Sequence, residues 1–85
     1  MNIIRTEDFD RRLLNLPQNV QRLYTVQEDR FTTNPRDPRL HTKKLQGLRD
    51  VISFRITRRY RALFYFQDSE TAIFFDVDHR KDVYR

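Results

Sequence analysis

The spacing of the apolar residues changes once along this chain, and that change limits the folds available to it. Phe9, Leu13 and Leu16 recur at helical spacing, and a second apolar stripe follows over about residues 18–32. Over residues 51–57 the period becomes two, which is typical of a strand with one buried face. Helices followed by strands predict a sheet that carries its helices on one face.

Local signals set the boundaries of these elements. Asn2–Arg5 has the composition of a short first strand, Thr6 is a suitable N-cap for the first helix, and Pro17 separates the two helices. Tyr60–Phe66 and Ala72–Val77 lack clean alternation, which indicates central strands covered on both faces. The predicted fold class is α+β: two antiparallel N-terminal helices packed on a small, mostly antiparallel twisted sheet of about four strands.

The length and composition allow one domain, which we assign to residues 1–85. Eleven aromatic residues supply large buried areas, and the absence of cysteine excludes disulfides and thiolate metal sites. No apolar run approaches the length of a membrane span. We therefore expect a cytoplasmic protein with no membrane partner and no cofactor.

Positive charge is concentrated in the middle of the chain. Residues 1–37 contain six arginines and six acidic residues, whereas residues 38–66 contain eight cationic residues and one acidic residue, Asp50. Such a patch attracts phosphates, although it could equally contact an acidic protein partner.

The last residues combine groups suited to cutting RNA. After a strand-like run, residues 79–84 contain an imidazole, two cations and a phenol. A second cationic stretch covers residues 55–61. A folded sheet could bring the two stretches onto one surface. There is no glycine-rich phosphate loop and no serine or threonine nucleophile motif.

The order of several short motifs resembles that of the RelE/ParE superfamily of bacterial toxins from toxin–antitoxin pairs. The matching features are Phe9…Leu13…Leu16-Pro17, Asn34-Pro35, His41…Leu45-Gln46-Gly47, Phe54-Arg55-Ile56, residues 60–65 and residues 79–84. The final hexapeptide favours the RelE branch, which cleaves messenger RNA in the ribosomal decoding site, over the ParE branch, which inhibits DNA gyrase. The resemblance implies a cognate antitoxin, the ribosome and mRNA as partners.

The resemblance also implies site residues. In RelE-type enzymes a cationic set and a terminal tyrosine carry the reaction, and the matching positions are Arg55, Arg61, His79 or Arg80, and Tyr84. We assign Arg61 to the charge of the transition state and His79 to the general acid, because an imidazole titrates near neutral pH. Arg80 could orient the phosphate or take the acid role itself, and His79 could instead be the base. Tyr84 could position the hydroxyl, stack on a base, or only seal the core.

A wider set is predicted to contact RNA or its phosphates: Lys43, Lys44, Ser53, Arg55, Arg58, Arg59 and Lys81. A solvated strand face or loop explains several of these cations equally well. His41 and His79 are too few and too far apart in sequence to predict a metal site. The alternative functions are a ParE-like gyrase inhibitor and a catalytically silent homologue that only binds its antitoxin.

Overall fold

The computed structural model describes residues 1–47 and 49–79 of the chain. Over these residues the elements are β1 (Asn2–Arg5), α1 (Glu7–Leu14), α2 (Gln18–Thr33), β2 (Lys43–Lys44), β3 (Ile52–Arg55), β4 (Tyr60–Asp68) and β5 (Thr71–His79). A 3₁₀ turn, Pro38–Leu40, lies between α2 and β2. The two helices pack on one sheet, which confirms the predicted α+β class.

The sheet has the strand order β1-β5-β4-β3-β2. Only the β1–β5 pair is parallel among the strands of the described residues, so the sheet is mostly antiparallel. As predicted, β4 and β5 are interior strands, and each has buried residues on both faces of the sheet. The prediction of about four strands was one too few. The missing strand, β2, has two residues, and it exists because Lys43 and Lys44 pair with Ser53 and Ile52. A two-residue strand leaves no periodicity in a sequence.

The start of α1 is capped as the sequence predicts. The Thr6 side-chain oxygen accepts a hydrogen bond from the Phe9 backbone N–H at 3.1 Å, and acidic residues occupy the first turn of the helix. Pro17 precedes α2, where its fixed φ and missing N–H are tolerated. These two signals set the helix positions relative to β1.

Aromatic rings fill the space between the helices and the sheet. The Phe64 and Phe74 ring centroids are 4.8 Å apart, and those of Phe31 and Phe64 are 4.9 Å apart. Phe9, Phe31, Phe54, Phe64 and Phe74 are fully buried. Because the helices cover only one face of the sheet, this cluster defines that face.

Two adjacent rows of residues show how the faces divide. Phe54, Ala62 and Val77 lie opposite one another and belong to the buried core. The next row, Arg55, Arg61 and Asp78, points to the other side, since neighbouring residues of a strand point to opposite faces. We call the face that carries Ser53, Arg55, Arg61 and Tyr65 the outer face.

Candidate functional site

Two predicted site arginines face each other across the β3–β4 hairpin. Arg55 is the register partner of Arg61, and Asp78 lies opposite Arg61 on the third strand. Like charges directly opposite on a sheet are destabilising. Asp78 adds a carboxylate to the same row, so the row combines two cations with one anion on the outer face.

Arg61 is held from inside the protein. Its Nε donates to the Ser53 hydroxyl at 2.8 Å, and its Nη2 donates to the backbone carbonyls of His41 and, at 3.4 Å, of Ser53. The Arg61 residue is 2% exposed, and Ser53 is fully buried. The predicted RNA contact by Ser53 is thus replaced, in this geometry, by a contact with the guanidinium.

The carbonyl of His41 reaches Arg61 because the chain turns sharply at that residue. His41 follows the 3₁₀ turn and adopts a left-handed conformation, φ 48° and ψ 52°. Such a backbone is uncommon for a residue other than glycine. The contribution of His41 to the site that this structure describes is therefore its backbone oxygen.

Gln27 connects helix α2 to two segments of the site. Its Nε2 donates to the carbonyls of Arg39 at 3.0 Å and Arg55 at 2.7 Å, and its Oε1 accepts from Arg30 at 3.0 Å. Gln27 is buried, at 6% exposure. One side chain thus fixes two segments relative to α2. They are the end of β3, where Arg55 lies, and the 3₁₀ turn that precedes His41.

His79 lies at the end of β5, opposite Tyr60. The two rings meet edge to face with centroids 5.2 Å apart, and the His79 backbone N–H donates to Asp78 Oδ1 at 3.0 Å. In the alternation of β5, His79 follows Val77 on the helix face, whereas Arg61 belongs to the outer face. The His79 imidazole and the Arg61 guanidinium therefore lie on opposite faces. A single ligand can contact both only if it passes around the end of the sheet.

The turn between β3 and β4 lies at that same end. Arg58 and Arg59 are exposed there, and the turn is closed by a bond from the Ile56 N–H to the Tyr60 carbonyl at 2.9 Å. The hairpin therefore brings Arg55, Arg58, Arg59 and Arg61 to the end of the sheet that also carries His79.

The remaining predicted residues divide into two groups. Lys43 and Lys44 are exposed on β2, where Lys43 lies opposite Ser53. Arg80, Lys81 and Tyr84 lie outside the described residues. Over residues 1–47 and 49–79 there is no cluster of three or more histidine, aspartate or glutamate side chains that could hold a metal. Neither helix of the described chain is long and apolar enough to cross a membrane.

Sequence reasoning missed three structural contributors to the site: Gln27, Tyr60 and the His41 carbonyl. Gln27 does leave a signal, because it interrupts the apolar stripe of α2 at a position that faces the sheet. A backbone carbonyl leaves none, since its direction depends on the backbone dihedral angles and not directly on the residue type. Tyr60 contacts His79 only through the register of β4 and β5.

Solved structures with a similar fold come from toxin–antitoxin systems. The chain is 31% identical to a chain of the toxin–antitoxin complex RelBE2 from Mycobacterium tuberculosis, over 93% of this chain and 96% of that one, with a TM-score of 0.63. The RelB–RelE antitoxin–toxin complex from Methanococcus jannaschii matches at 21% identity over 95% and 94%, with a TM-score of 0.76. A YoeB/ParE toxin from Agrobacterium tumefaciens matches at 13% identity over 94% and 99%, with a TM-score of 0.77. No family model and no curated protein sequence matches the chain.

Proposed function

The chain belongs to the RelE/ParE superfamily of toxins from type II toxin–antitoxin systems, and we propose that it is a ribosome-dependent mRNA endonuclease that arrests translation until an antitoxin binds it. The observation that carries this proposal is the pair of arginines, Arg55 and Arg61, set opposite each other on the outer face beside the β3–β4 turn. Guanidinium groups are well suited to binding the phosphates of a polyanionic substrate.

Metal-independent RNA cleavage has three requirements. The 2′-hydroxyl must lose its proton, the charge that builds on the phosphorane must be neutralised, and the 5′-oxygen that leaves must gain a proton. Arg55 fits the second requirement, because a guanidinium stays charged and can donate two hydrogen bonds to one phosphate. Arg61, whose Nε and Nη2 already donate within the sheet, contributes a fixed positive charge.

Arg61 is pre-oriented for such a role. Ser53 and the His41 carbonyl bind its guanidinium from within the sheet, so little side-chain freedom is left to lose when a phosphate binds. Preorganised charge is the largest single contribution in many enzymes. We propose that Arg61 acts from this held position and that Arg55, which is more exposed, makes the first contact with the RNA backbone.

His79 is proposed as the general acid. Its imidazole is half-buried beside Tyr60, at the same end of the sheet as the turn that carries the exposed Arg58 and Arg59. Proton transfer by a placed group contributes about 10²–10⁴ in rate. Tyr84 is proposed to position the attacking hydroxyl or to stack on a nucleobase, and Arg80 to orient the phosphate or to take the acid role.

The antitoxin is the proposed protein partner. Two of the similar solved structures are complexes of a toxin with its antitoxin. The cationic surface between residues 38 and 66 favours an acidic antitoxin segment, whose association would be accelerated by long-range attraction.

Primer extension on a defined message in a purified translation system tests the activity. Wild type should produce breaks within ribosomal A-site codons only when ribosomes are present, and His79→Ala should lower the cleavage rate by about 10²–10⁴. Leu14→Ala is the control, because Leu14 is 71% exposed at the end of α1, away from the proposed site.

Each alternative has its own outcome. An intact message in the presence of active ribosomes would contradict the endonuclease and direct the test to DNA gyrase. If the protein is inactive in both the cleavage assay and the gyrase assay but still binds its antitoxin, it is a catalytically silent binding protein. Growth arrest by a His79→Ala and Tyr84→Ala double variant would contradict the catalytic assignment.

A further inference from the structure

Tyr60 and His79 form the last row of the sheet on the helix face. They are register partners at the end of β4 and β5. The row beside them, Ala62 and Val77, belongs to the buried core. Residues two apart in a strand point to the same face, so the Tyr60 and His79 side chains follow that core row. Both are half-buried, which places them at the border between the core and the exposed turn of the β3–β4 hairpin.

Tyr60 is restrained on two sides. Its backbone carbonyl accepts hydrogen bonds from the Ile56 N–H at 2.9 Å and from the Thr57 N–H at 3.2 Å, which close the β3–β4 turn. Its side chain packs against the core cluster, to which Ile56 belongs. The turn and the core therefore fix the position of the Tyr60 ring before any ligand binds.

His79 has fewer restraints within the sheet. It is the last residue of β5, and β1 pairs with β5 only over residues 71–74. Among the strands of residues 1–47 and 49–79, Tyr60 is therefore its single register partner. The two ring planes meet at 86° with centroids 5.2 Å apart. Aromatic rings prefer this edge-to-face geometry, which stabilises a pair beyond the burial of its area.

We infer that Tyr60 is a positioning residue, whose ring holds the His79 imidazole in the orientation that proton transfer requires. This inference rests on the proposed function, in which His79 gives its proton to the 5′-oxygen as the bond from that oxygen to phosphorus breaks. An imidazole with free side-chain torsions occupies several rotamers, and a fixed neighbouring ring favours one of them. The contact joins two rings, so the Tyr60 hydroxyl is not part of it.

Cleavage kinetics test the role of the ring. Tyr60→Leu keeps an apolar side chain on the core but removes the aromatic contact with His79. We expect kcat of ribosome-dependent cleavage to fall by about 2- to 12-fold, the factor that corresponds to one aromatic pair. KM for ribosomes that carry the message should stay unchanged, because the ring acts on the imidazole and not on the RNA. Tyr60→Phe keeps the ring and should restore kcat.

Phe66→Leu is the matched control. Phe66 lies at the other end of β4, opposite Ala72 on the helix face, and is 42% exposed. Its ring packs on those of Phe31 and Phe64, with centroids 6.3 Å and 5.7 Å apart. This variant therefore removes a ring from the same core at the end of the strand away from His79, and kcat should not change.

A double-mutant cycle separates positioning from direct contact with RNA. A positioning residue acts only through the group that it positions, so Tyr60→Leu should have no further effect on kcat in a His79→Ala background. A Tyr60 ring that instead stacks on the RNA would raise KM and would keep its effect in that background. That result would overturn the positioning role.

Nuclear magnetic resonance tests the contact without cleavage. The chain contains two histidines, so the imidazole carbon–proton spectrum is simple, and the signals that disappear in His79→Ala belong to His79. Tyr60→Leu should shift the His79 ring signals, because they lose the ring current of the tyrosine, whereas Tyr60→Phe should leave them nearly in place. The signals of His41, which is exposed, are the internal control and should not move.

The outcomes keep the two proposals apart. An unchanged kcat for Tyr60→Leu, an equal loss for Phe66→Leu, or His79 ring signals that do not move would each overturn the positioning role and leave the endonuclease. Absence of cleavage by wild type would overturn the endonuclease. The resonance shifts would then still decide whether Tyr60 holds the imidazole.

Discussion

At the scale of single residues, the Ser53 hydroxyl is a small group that holds the guanidinium of Arg61 in place. Ser53 alternates with Phe54 on β3 and, from the sequence, belongs to a face open to solvent. In the structure it is fully buried and accepts a hydrogen bond from the Arg61 guanidinium. A small polar side chain on a strand face can therefore act on a ligand indirectly, by holding the cation that binds it.

Removing that hydroxyl should destabilise the fold. Ser53→Ala leaves a buried Nε–H of Arg61 without its acceptor, and hydrogen bonds to charged groups contribute about 1.5–3 kcal/mol. We expect the free energy of unfolding in urea to fall by that amount. Ser69→Ala, in the exposed turn before β5, should change it by less than about 0.5 kcal/mol. Equal values for the two variants would show that the bond contributes nothing.

Substitution of a second residue, Gln27, should lower the free energy of unfolding by at least as much. Gln27→Met keeps the length of the side chain but removes the donor to the carbonyls of Arg39 and Arg55. Since an unpaired buried polar group costs about 1–3 kcal/mol, we expect a loss of about 2–4 kcal/mol in urea unfolding. Gln18→Met, exposed at the start of α2, is the matched control. A wild-type midpoint for Gln27→Met would refute this bridging role.

At the scale of elements, the short 3₁₀ turn Pro38–Leu40 contributes both to the core and to the candidate site. It buries Leu40 fully and ends at His41, whose carbonyl binds Arg61. Asp37 caps this turn: its Oδ1 accepts from the Arg39 backbone N–H at 2.9 Å, and its carboxylate pairs with the Arg39 guanidinium at 2.6 Å. Asp37 thus stabilises the turn that leads to His41, whose carbonyl binds Arg61.

The cap should make stability depend on acid pH. The side-chain hydrogen bond from Arg39, followed by the backbone bond, lowers the pKa of Asp37 from 3.8 to about 2. A lowered pKa in the folded state stabilises the protein above the unfolded pKa, and this contribution is lost as the pH falls through the folded value. The urea midpoint of wild type should therefore exceed that of Asp37→Asn above about pH 4, and the difference should vanish toward pH 2.

Asp29→Asn is the control for that measurement, because Asp29 is an exposed carboxylate on α2, outside the turn. Its difference from wild type should be small at every pH. A constant gap between wild type and Asp37→Asn from pH 5 to pH 2 would mean that ionisation of Asp37 does not stabilise the turn.

At the scale of the whole molecule, charge is distributed by element. The helical part of the chain is balanced, and the positive excess lies on the segment that contains β2, β3 and most of β4. Because these strands are neighbours in the sheet, the positive excess is concentrated on the β2 side of the sheet. Such a surface binds a polyanion with a strong dependence on salt.

The salt dependence of RNA binding should identify the phosphate contacts. For single strands the slope of log K against log salt is about 0.7 for each neutralised phosphate. Arg58→Ala with Arg59→Ala should therefore reduce the slope by up to about 1.4, measured by fluorescence anisotropy with a labelled RNA oligonucleotide. Arg22→Ala, an exposed arginine on α2, should leave the slope unchanged. An unaltered slope in the double variant would place the phosphates elsewhere.

The sequence by itself determined the elements and their class. Thr6 and Pro17 mark the helices, and apolar spacing separates the helical part from the sheet, because caps, proline and periodicity act within a few residues. The motifs were sufficient for the resemblance to the superfamily, to which the similar solved structures also point. The concentration of cations between residues 38 and 66 was equally visible, since charge can be counted in a sequence.

Only the tertiary structure decided how those residues combine. The register set Arg55 against Arg61 and Tyr60 against His79, and it recruited the two-residue β2 to the sheet. The left-handed turn at His41 aimed a carbonyl at Arg61, and an irregular register on β5 brought Phe75 beside Tyr65. Each of these depends on contacts between residues far apart in the chain. A shift of one residue in pairing would reverse the face of every side chain involved.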